Sequence, residues 1–370
     1  MRAFAVLPLC FVLAACATVE PSPSARPLSP ANLAALGPTR ASITADQGGV
    51  GKSWFYTEVN GAGAGLAGVI GGLIAGAIIN AAPSHRANRQ ATEIAEVITP
   101  ERLNESLDAK FKALTAAPQE GKVTFSDVVV TQKVLAPGEL DDTLEIATSY
   151  TLSEDSSVLR VISTATYKSA AIPYKTPYTF KKQTPASETT GPLYRNVFTY
   201  YSTPLPVPVL TPELKARLAA SVRDSMRNES GALPAEGTSE YKSMLHDVEL
   251  AQDDKLSSGE SSVFLTREWL KNHGAPLKQE IEKAHAFIAK YALLDVNRTV
   301  IPSLEGTDEL LETTADDRTV RRLGAGVGAG SYVSSAANVA TPATYGNAVA
   351  VGKATEDYVN GLKHPAKKAK

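Results

Sequence analysis

Hydrophobic positions change their spacing several times along this chain. Residues 61–82 read GAGAGLAGVIGGLIAGAIINAA and carry no charge, with seven glycines and seven alanines among large apolar residues. Residues 84–98 then place Ala91, Ile94, Ala95 and Ile98 at helical spacing. Thr99-Pro100-Glu101 reads as an N-cap, a first-turn proline and an acidic start. Leu103, Leu107, Phe111 and Leu114 line one face of the helix that follows, and Pro118 ends it. From 121 to 203 the period falls from 3.6 to 2. Val123, Phe125 and Val128 to Val130 mark one strand. Leu144, Ile146, Thr148, Tyr150 and Leu152 alternate in a second, and Leu159, Val161, Ser163, Ala165 and Tyr167 in a third. The polar Ser153-Glu154-Asp155-Ser156 between them predicts a hairpin. Tyr174 to Lys182 and Leu193 to Ser202 add two strands, the last rich in aromatic residues (Tyr194, Phe198, Tyr200, Tyr201).

Pro204, Pro206 and Pro208 close this pattern, and helical spacing returns. Thr211-Pro212-Glu213 repeats the capped start, and Leu214, Leu218, Val222 and Met226 form a stripe. Further helices are expected near 238–252, 262–272 and 276–294, the last carrying Leu277, Ile281, Ile288 and Leu294. Residues 310–323 read as a short hairpin turning at Asp316-Asp317. The fold class expected is therefore α+β: a Gly-rich helical hairpin over 61–116 packed on an antiparallel sheet of about five strands, then a second helical region. The segments expected are 41–205 for the first strand, the helical hairpin and the sheet, 206–334 for the helical region, and 335–370 for a disordered Gly/Ala/Ser-rich and basic tail.

The N-terminus supplies an address. Residues 1–16 are MRAFAVLPLCFVLAAC. Arg2 precedes an apolar run of about eleven residues, which is signal-peptide length and too short to span a bilayer. Leu13-Ala14-Ala15-Cys16 resembles the lipobox of bacterial lipoproteins. That resemblance implies removal of residues 1–15, acylation of Cys16, and anchoring in membrane lipid through it. Ala17 after the cysteine implies, by the same resemblance, the outer membrane and its periplasmic side. Residues 16–40 carry Pro21, Pro23, Pro27, Pro30 and Pro38 and read as a lipidated, proline-rich tether. Only Cys10 and Cys16 occur, so a mature chain has neither a disulfide nor a thiol catalyst. Loss of Arg2 moves the formal charge from −2 to −3, too small to imply an acidic or basic partner. No nucleic acid is expected as a partner.

Within 61–82, Gly68, Gly72 and Gly76 stand at i, i+4 and i+8, a stripe on which another backbone can approach closely. The spacing resembles the glycine zipper of bacterial envelope lipoproteins. Three arrangements are open: a transmembrane helix, a helix buried in the protein, and a seam for self-association through Gly68, Gly72 and Gly76. Arg86 and Arg89 follow the bend and would meet lipid phosphates if the segment were inserted; a solvated face is the plainer reading.

The stretch DQGGVGKS at 46–53 ends as a phosphate-binding loop ends, and it resembles the variant loop of ParA-like ATPases. Asp46 stands where the loop's first glycine belongs, Gln47 where the signature lysine does, and no helix follows Lys52. Trp54-Phe55-Tyr56-Thr57 reads as a strand, so a Gly-rich turn into a strand is expected, and no nucleotide.

No catalytic or metal-binding set emerges. The five histidines, His85, His246, His273, His285 and His364, show no ligand spacing. His246 beside Asp247 is the nearest approach to a dyad, and helix neighbours do not face each other. The carboxylate pairs Glu154/Asp155, Asp253/Asp254 and Asp316/Asp317 lie in polar turns. Gly330-Ser331 lacks a strand-to-helix elbow. The expectation is a non-catalytic envelope lipoprotein, a structural or binding component without cofactor or metal. Its rivals are a membrane-inserting or oligomer-forming protein acting through 61–82, and an envelope hydrolase whose groups converge from distant segments.

Overall fold

The computed structural model describes residues 25, 27–28, 30–35, 39–44, 49–54, 84, 86–116, 125–131, 142–169, 192–206, 209–228, 230–252, 258–298, 307–324, 329–336 and 347–349. The centre is the hairpin that alternation predicts. In it β4 (Thr143–Leu152) pairs antiparallel with β5 (Leu159–Lys168). Leu144 faces Tyr167, Ile146 faces Ala165, Tyr150 faces Val161, and Leu152 faces Leu159. All of these side chains are buried on one face. Each large one contributes about 1.5–3 kcal/mol by leaving water. A shift by one residue would turn the whole set outward, so the pairing is fixed. Asp155 organises the turn by accepting from Ser153 Oγ at 2.7 Å and from the Ser157 amide at 3.0 Å. It also lets Ser156 adopt φ 62°.

Among the described residues the sheet has ten strands and is mixed, not antiparallel throughout. β6 (Tyr194–Tyr201) pairs antiparallel with β5 and parallel with β9 (Tyr332–Ala336). β8 (Arg318–Arg322) and β7 (Glu309–Thr313) continue outward as the expected hairpin. On the other side of β4 run β1 (Thr39–Thr44) and β2 (Val50–Trp54), end to end and both parallel to β4. Thr44 lies opposite Ala147 and Val50 opposite Tyr150. Gly49, just before β2, takes φ 65°. β3 (Phe125–Thr131) flanks β1 in parallel, and β10 (Asn347–Val349) flanks β2 antiparallel. Parallel neighbours need a long crossover. The helices between β2 and β3 supply it, which local spacing alone does not show.

Helices cover the apolar face. α1 is Pro30–Ala35. α2 spans 86–95 and buries Ala91 and Ile94. α3 (Pro100–Ala116) buries Leu103, Leu107 and Phe111, and its expected cap is present, with Thr99 Oγ1 accepting from the Arg102 amide at 3.4 Å. α6 (Ser258–Val296) is broken at Lys271–Gly274, across the end of the first of the two helices expected there. Asn272, His273 and Gly274 are left-handed, and Pro276 follows in the first turn of the second half, where its missing N–H needs no partner. That second half lays Leu277, Ile281, Ile288 and Ala292 on the sheet, while Leu294 is 54% exposed. α4 (Pro212–Ser225), capped by Thr211, and α5 (Ser239–Leu250) make a smaller core of Leu218, Val222, Met244 and Val248.

The boundaries also differ from expectation. Leu28 and Leu33, inside the expected tether, belong to the main core. Residues 347–349, inside the expected tail, form β10. The division at 205/206 crosses the sheet, because β6 pairs with β9 beyond it. Cys16, the signal segment, the Gly-rich arm with Gly68, Gly72 and Gly76, and the strand expected at 174–182 lie outside the described residues.

Candidate functional site

Lys52 lies in β2, not at the start of a helix, and is 1% exposed. Its ammonium donates to the carbonyls of Ser53 (3.1 Å), Ser153 (2.5 Å) and Glu154 (2.5 Å). The side chain thus ties β2 to the β4–β5 turn. Burial draws its pKa down to about 7, against the pull of Asp155 and Glu154. Burial works to raise Asp155, but hydrogen bonds from Ser153 and Ser157, with the charge of Lys52, hold it below the usual carboxylate value.

The second half of α6 carries polar groups into the helix–sheet interface. His285 is fully buried, with Nε2 2.7 Å from Tyr150 Oη and Nδ1 2.8 Å from Ser106 Oγ. Ser106 donates to Glu282 Oε1, and Glu282 pairs with Lys110 at 2.7 Å. A hydroxyl has one proton to give. The chain therefore runs Tyr150 to His285 to Ser106 to Glu282, and His285 is a donor toward Ser106 rather than a base for it. Glu280 accepts from Tyr200 Oη at 2.8 Å and from the Thr203 amide at 3.2 Å. Asp295 accepts from Tyr194 (2.8 Å), Asn196 (2.7 Å) and Tyr332 (2.5 Å). Burial, reinforced by these carboxylates, raises the phenol pKa values of Tyr194, Tyr200 and Tyr332, so all three remain donors. The aromatic strand β6 thus belongs to the core, with Tyr194, Phe198 and Tyr200 buried.

A cleft of about 250 Å³ opens between α6 and the β7–β8 hairpin. Phe287, Tyr291 and Val320 form its apolar wall. Arg318 lies 3% exposed at its base, its guanidinium 4.1 Å from the centre of the Tyr200 ring. Charges of both signs alternate at the mouth. Lys283 bridges Glu280 (2.9 Å) and Asp316 (3.3 Å), and Lys290 meets Glu312 at 2.6 Å. Tyr291 Oη also donates to Glu312, at 2.7 Å. The Glu280 hydrogen bond raises the Lys283 pKa, Lys290 lowers that of Glu312, and Thr314 lowers that of Asp316. At the mouth Lys283 and Lys290 thus face Asp316 and Glu312, two cations against two anions.

Of the residues singled out in the sequence, His285 enters a network, and Asp316 reaches the cleft mouth. His246 is exposed on α5, and His273 is exposed in the break of α6. Asp247 turns from His246 to an ion pair with Arg86. Among the described residues no cluster of His, Cys, Asp and Glu is placed to hold a metal ion, and no helix is long and apolar enough to cross a membrane. Glu280, Asp295 and Arg318 were not expected as site residues. Their signal was faint: polar residues in segments whose apolar neighbours occupy the core. No family model matches this chain, and neither a curated protein nor a solved structure matches it at a significant level.

Proposed function

We propose that this chain is an exported lipoprotein, held on the periplasmic side of the outer membrane by acyl chains on Cys16, and that it works there by binding rather than by catalysis. The observation that carries the address is the run MRAFAVLPLCFVLAAC. Several acyl chains on one cysteine give a stable anchor, at about 0.8 kcal/mol per buried methylene. The observation that supports binding is the cleft between α6 and the β7–β8 hairpin. Apolar wall and charged mouth fit a small ligand with an apolar face and hydroxyl groups, because hydroxyls both donate and accept. The balance of charge at the mouth favours a ligand without net charge. Against a serine–histidine hydrolase stands the direction of the Ser106–His285 hydrogen bond, in which the imidazole donates and so does not serve the serine as a base.

Mass spectrometry of the mature N-terminus, with fractionation of a Cys16→Ala form, tests the anchor. An unmodified chain starting at Met1 overturns it. For the cleft, an array of neutral sugars is titrated by NMR against the wild type and Lys290→Ala. Binding lost in the variant supports the reading; no saturable binding overturns it. The glycine stripe at 61–82 favours a second role in self-association or insertion. Replacing Gly68, Gly72 and Gly76 by Leu then abolishes detergent-stable oligomers or membrane retention of the Cys16→Ala form; unchanged behaviour sinks that role.

A further inference from the structure

A second, smaller cavity of about 80 Å³ lies where α6 begins, against β2 and α2, and opens to solvent. Lys52, Arg86, Gln90, Glu154, Gly259 and Ser262 surround it. We propose that this cavity binds a small oxyanion of the phosphate class.

Four features converge there. First, the amides of a helix's opening turn have no partners within the helix, and they point along the positive end of its dipole. Gly259 sits in that turn. Second, Gln90 is 4% exposed and half satisfied. Its Oε1 accepts from Ser262 Oγ at 3.0 Å, while Nε2 has no partner. A buried amide without an acceptor is destabilising, and an anion in the cavity supplies the acceptor. Third, the Arg86 guanidinium rests against the same helix turn: a Cβ on Gly259 would lie 2.0 Å from Nη1. A cation at the positive end of a helix is unfavourable. Asp247, paired with Arg86, offsets part of that, and an anion in the cavity beside both guanidinium and helix offsets the rest. Fourth, Lys52 adds charge without a hydrogen bond, since its three N–H groups already meet carbonyls. Glu154 opposes the anion from the cavity wall, with Asp155 next to it in the chain. The site does not depend on the proposed anchor or on the α6–hairpin cleft.

The test is an NMR titration of the purified full-length chain with inorganic phosphate, against chloride at equal ionic strength. Saturable shifts are expected at the Gly259 amide and the Gln90 side-chain amide. Gln90→Glu, which keeps the shape and adds a negative charge, weakens binding at least tenfold. Gln90→Met keeps the fold but removes the donor, and weakens it severalfold. Glu154→Gln tightens it severalfold. Vesicles of phosphatidylglycerol, set against phosphatidylcholine, identify the source. Competition with phosphate by the anionic vesicles alone assigns a lipid headgroup, and no competition assigns a free oxyanion. Shifts no larger with phosphate than with chloride, or binding indifferent to both Gln90 variants, overturn the proposal.

Discussion

His285 touches Ser106 near the surface, yet its ring is fully buried, and burial holds its pKa down to about 3. The unfolded chain has an ordinary histidine near 6.5. Between those values the unfolded state takes up a proton that the folded state refuses. Stability must therefore fall as pH falls from about 6.5 toward 3, by at most about 1.4 kcal/mol per unit. His285→Gln does not titrate. It is expected to lose about 1 kcal/mol at pH 7 and to flatten the acid limb. Urea unfolding from pH 4 to 7 checks this, and an unchanged slope refutes it. Lys52 works in the alkaline window. Its folded pKa of about 7 lies below the unfolded value near 10.5. From pH 7 upward the unfolded state retains a proton that the folded state has released, so stability rises with pH, and below 7 the full burial penalty stands. Lys52→Met removes that slope; at pH 7 relief of the burial penalty opposes the loss of the donor to the carbonyls of Ser153 and Glu154. Unfolding free energies at pH 7.5 and 9.5 in the two proteins decide whether the slope belongs to Lys52.

The break in α6 shows how one element can be strained and fixed together. Asn272 and His273 are left-handed without being glycine, at φ 51° and 57°. Gly274 takes φ 76°, and a Cβ there would lie 2.6 Å from Val97 Cγ1. Substitutions in this one segment are therefore expected to have opposite signs. Asn272→Gly or His273→Gly relieves the backbone and is neutral to stabilising by about 0.5 kcal/mol, whereas Gly274→Ala costs about 1–3 kcal/mol. Urea midpoints of the three variants settle it; destabilisation by the glycine variants as large as that by Gly274→Ala would show the conformation is not strained. The positions of this break, of the β4–β5 hairpin and of the capped helices after Thr99 and Thr211 were legible because local rules set them: period, cap and proline. The parallel lines of β1, β2 and β3 were not. Thr39–Thr44 has only Ala41 and Ile43 as apolar anchors, and its partners lie beyond two helices. The cleft was legible only in part, since Arg318 and Tyr200 meet through the β6–β9 pairing, which no local pattern announces.

At the scale of the whole molecule, one core runs from Leu28 to Tyr332 and takes in both halves of the chain. Tyr150 and Tyr200 on the sheet are covered by the second half of α6, through His285 and Glu280. Phe198 stacks on Tyr332, with ring centres 5.2 Å apart. A fragment ending at residue 205 would leave these aromatic residues bare, so it should not fold as a unit. The two tryptophans offer a test in the intact chain. Trp54 ends β2, in the first half. Trp269 is buried in α6, in the second, and donates to the carbonyl of Ser156 at 2.7 Å, which binds it to the β4–β5 turn. If the sheet and α6 form one cooperative body, single-tryptophan variants made with Trp54→Phe or Trp269→Phe report the same transition. Each variant's fluorescence midpoint in urea should coincide with its own midpoint by far-ultraviolet circular dichroism. The smaller core of α4 and α5 shares few groups with the sheet, so its amides are expected to exchange with solvent at a lower opening free energy than those of β4 and β5. A Trp54 signal that changes well before the Trp269 signal, each compared with the dichroism of the same variant, would separate the halves. It would also return the chain to two independently folded parts.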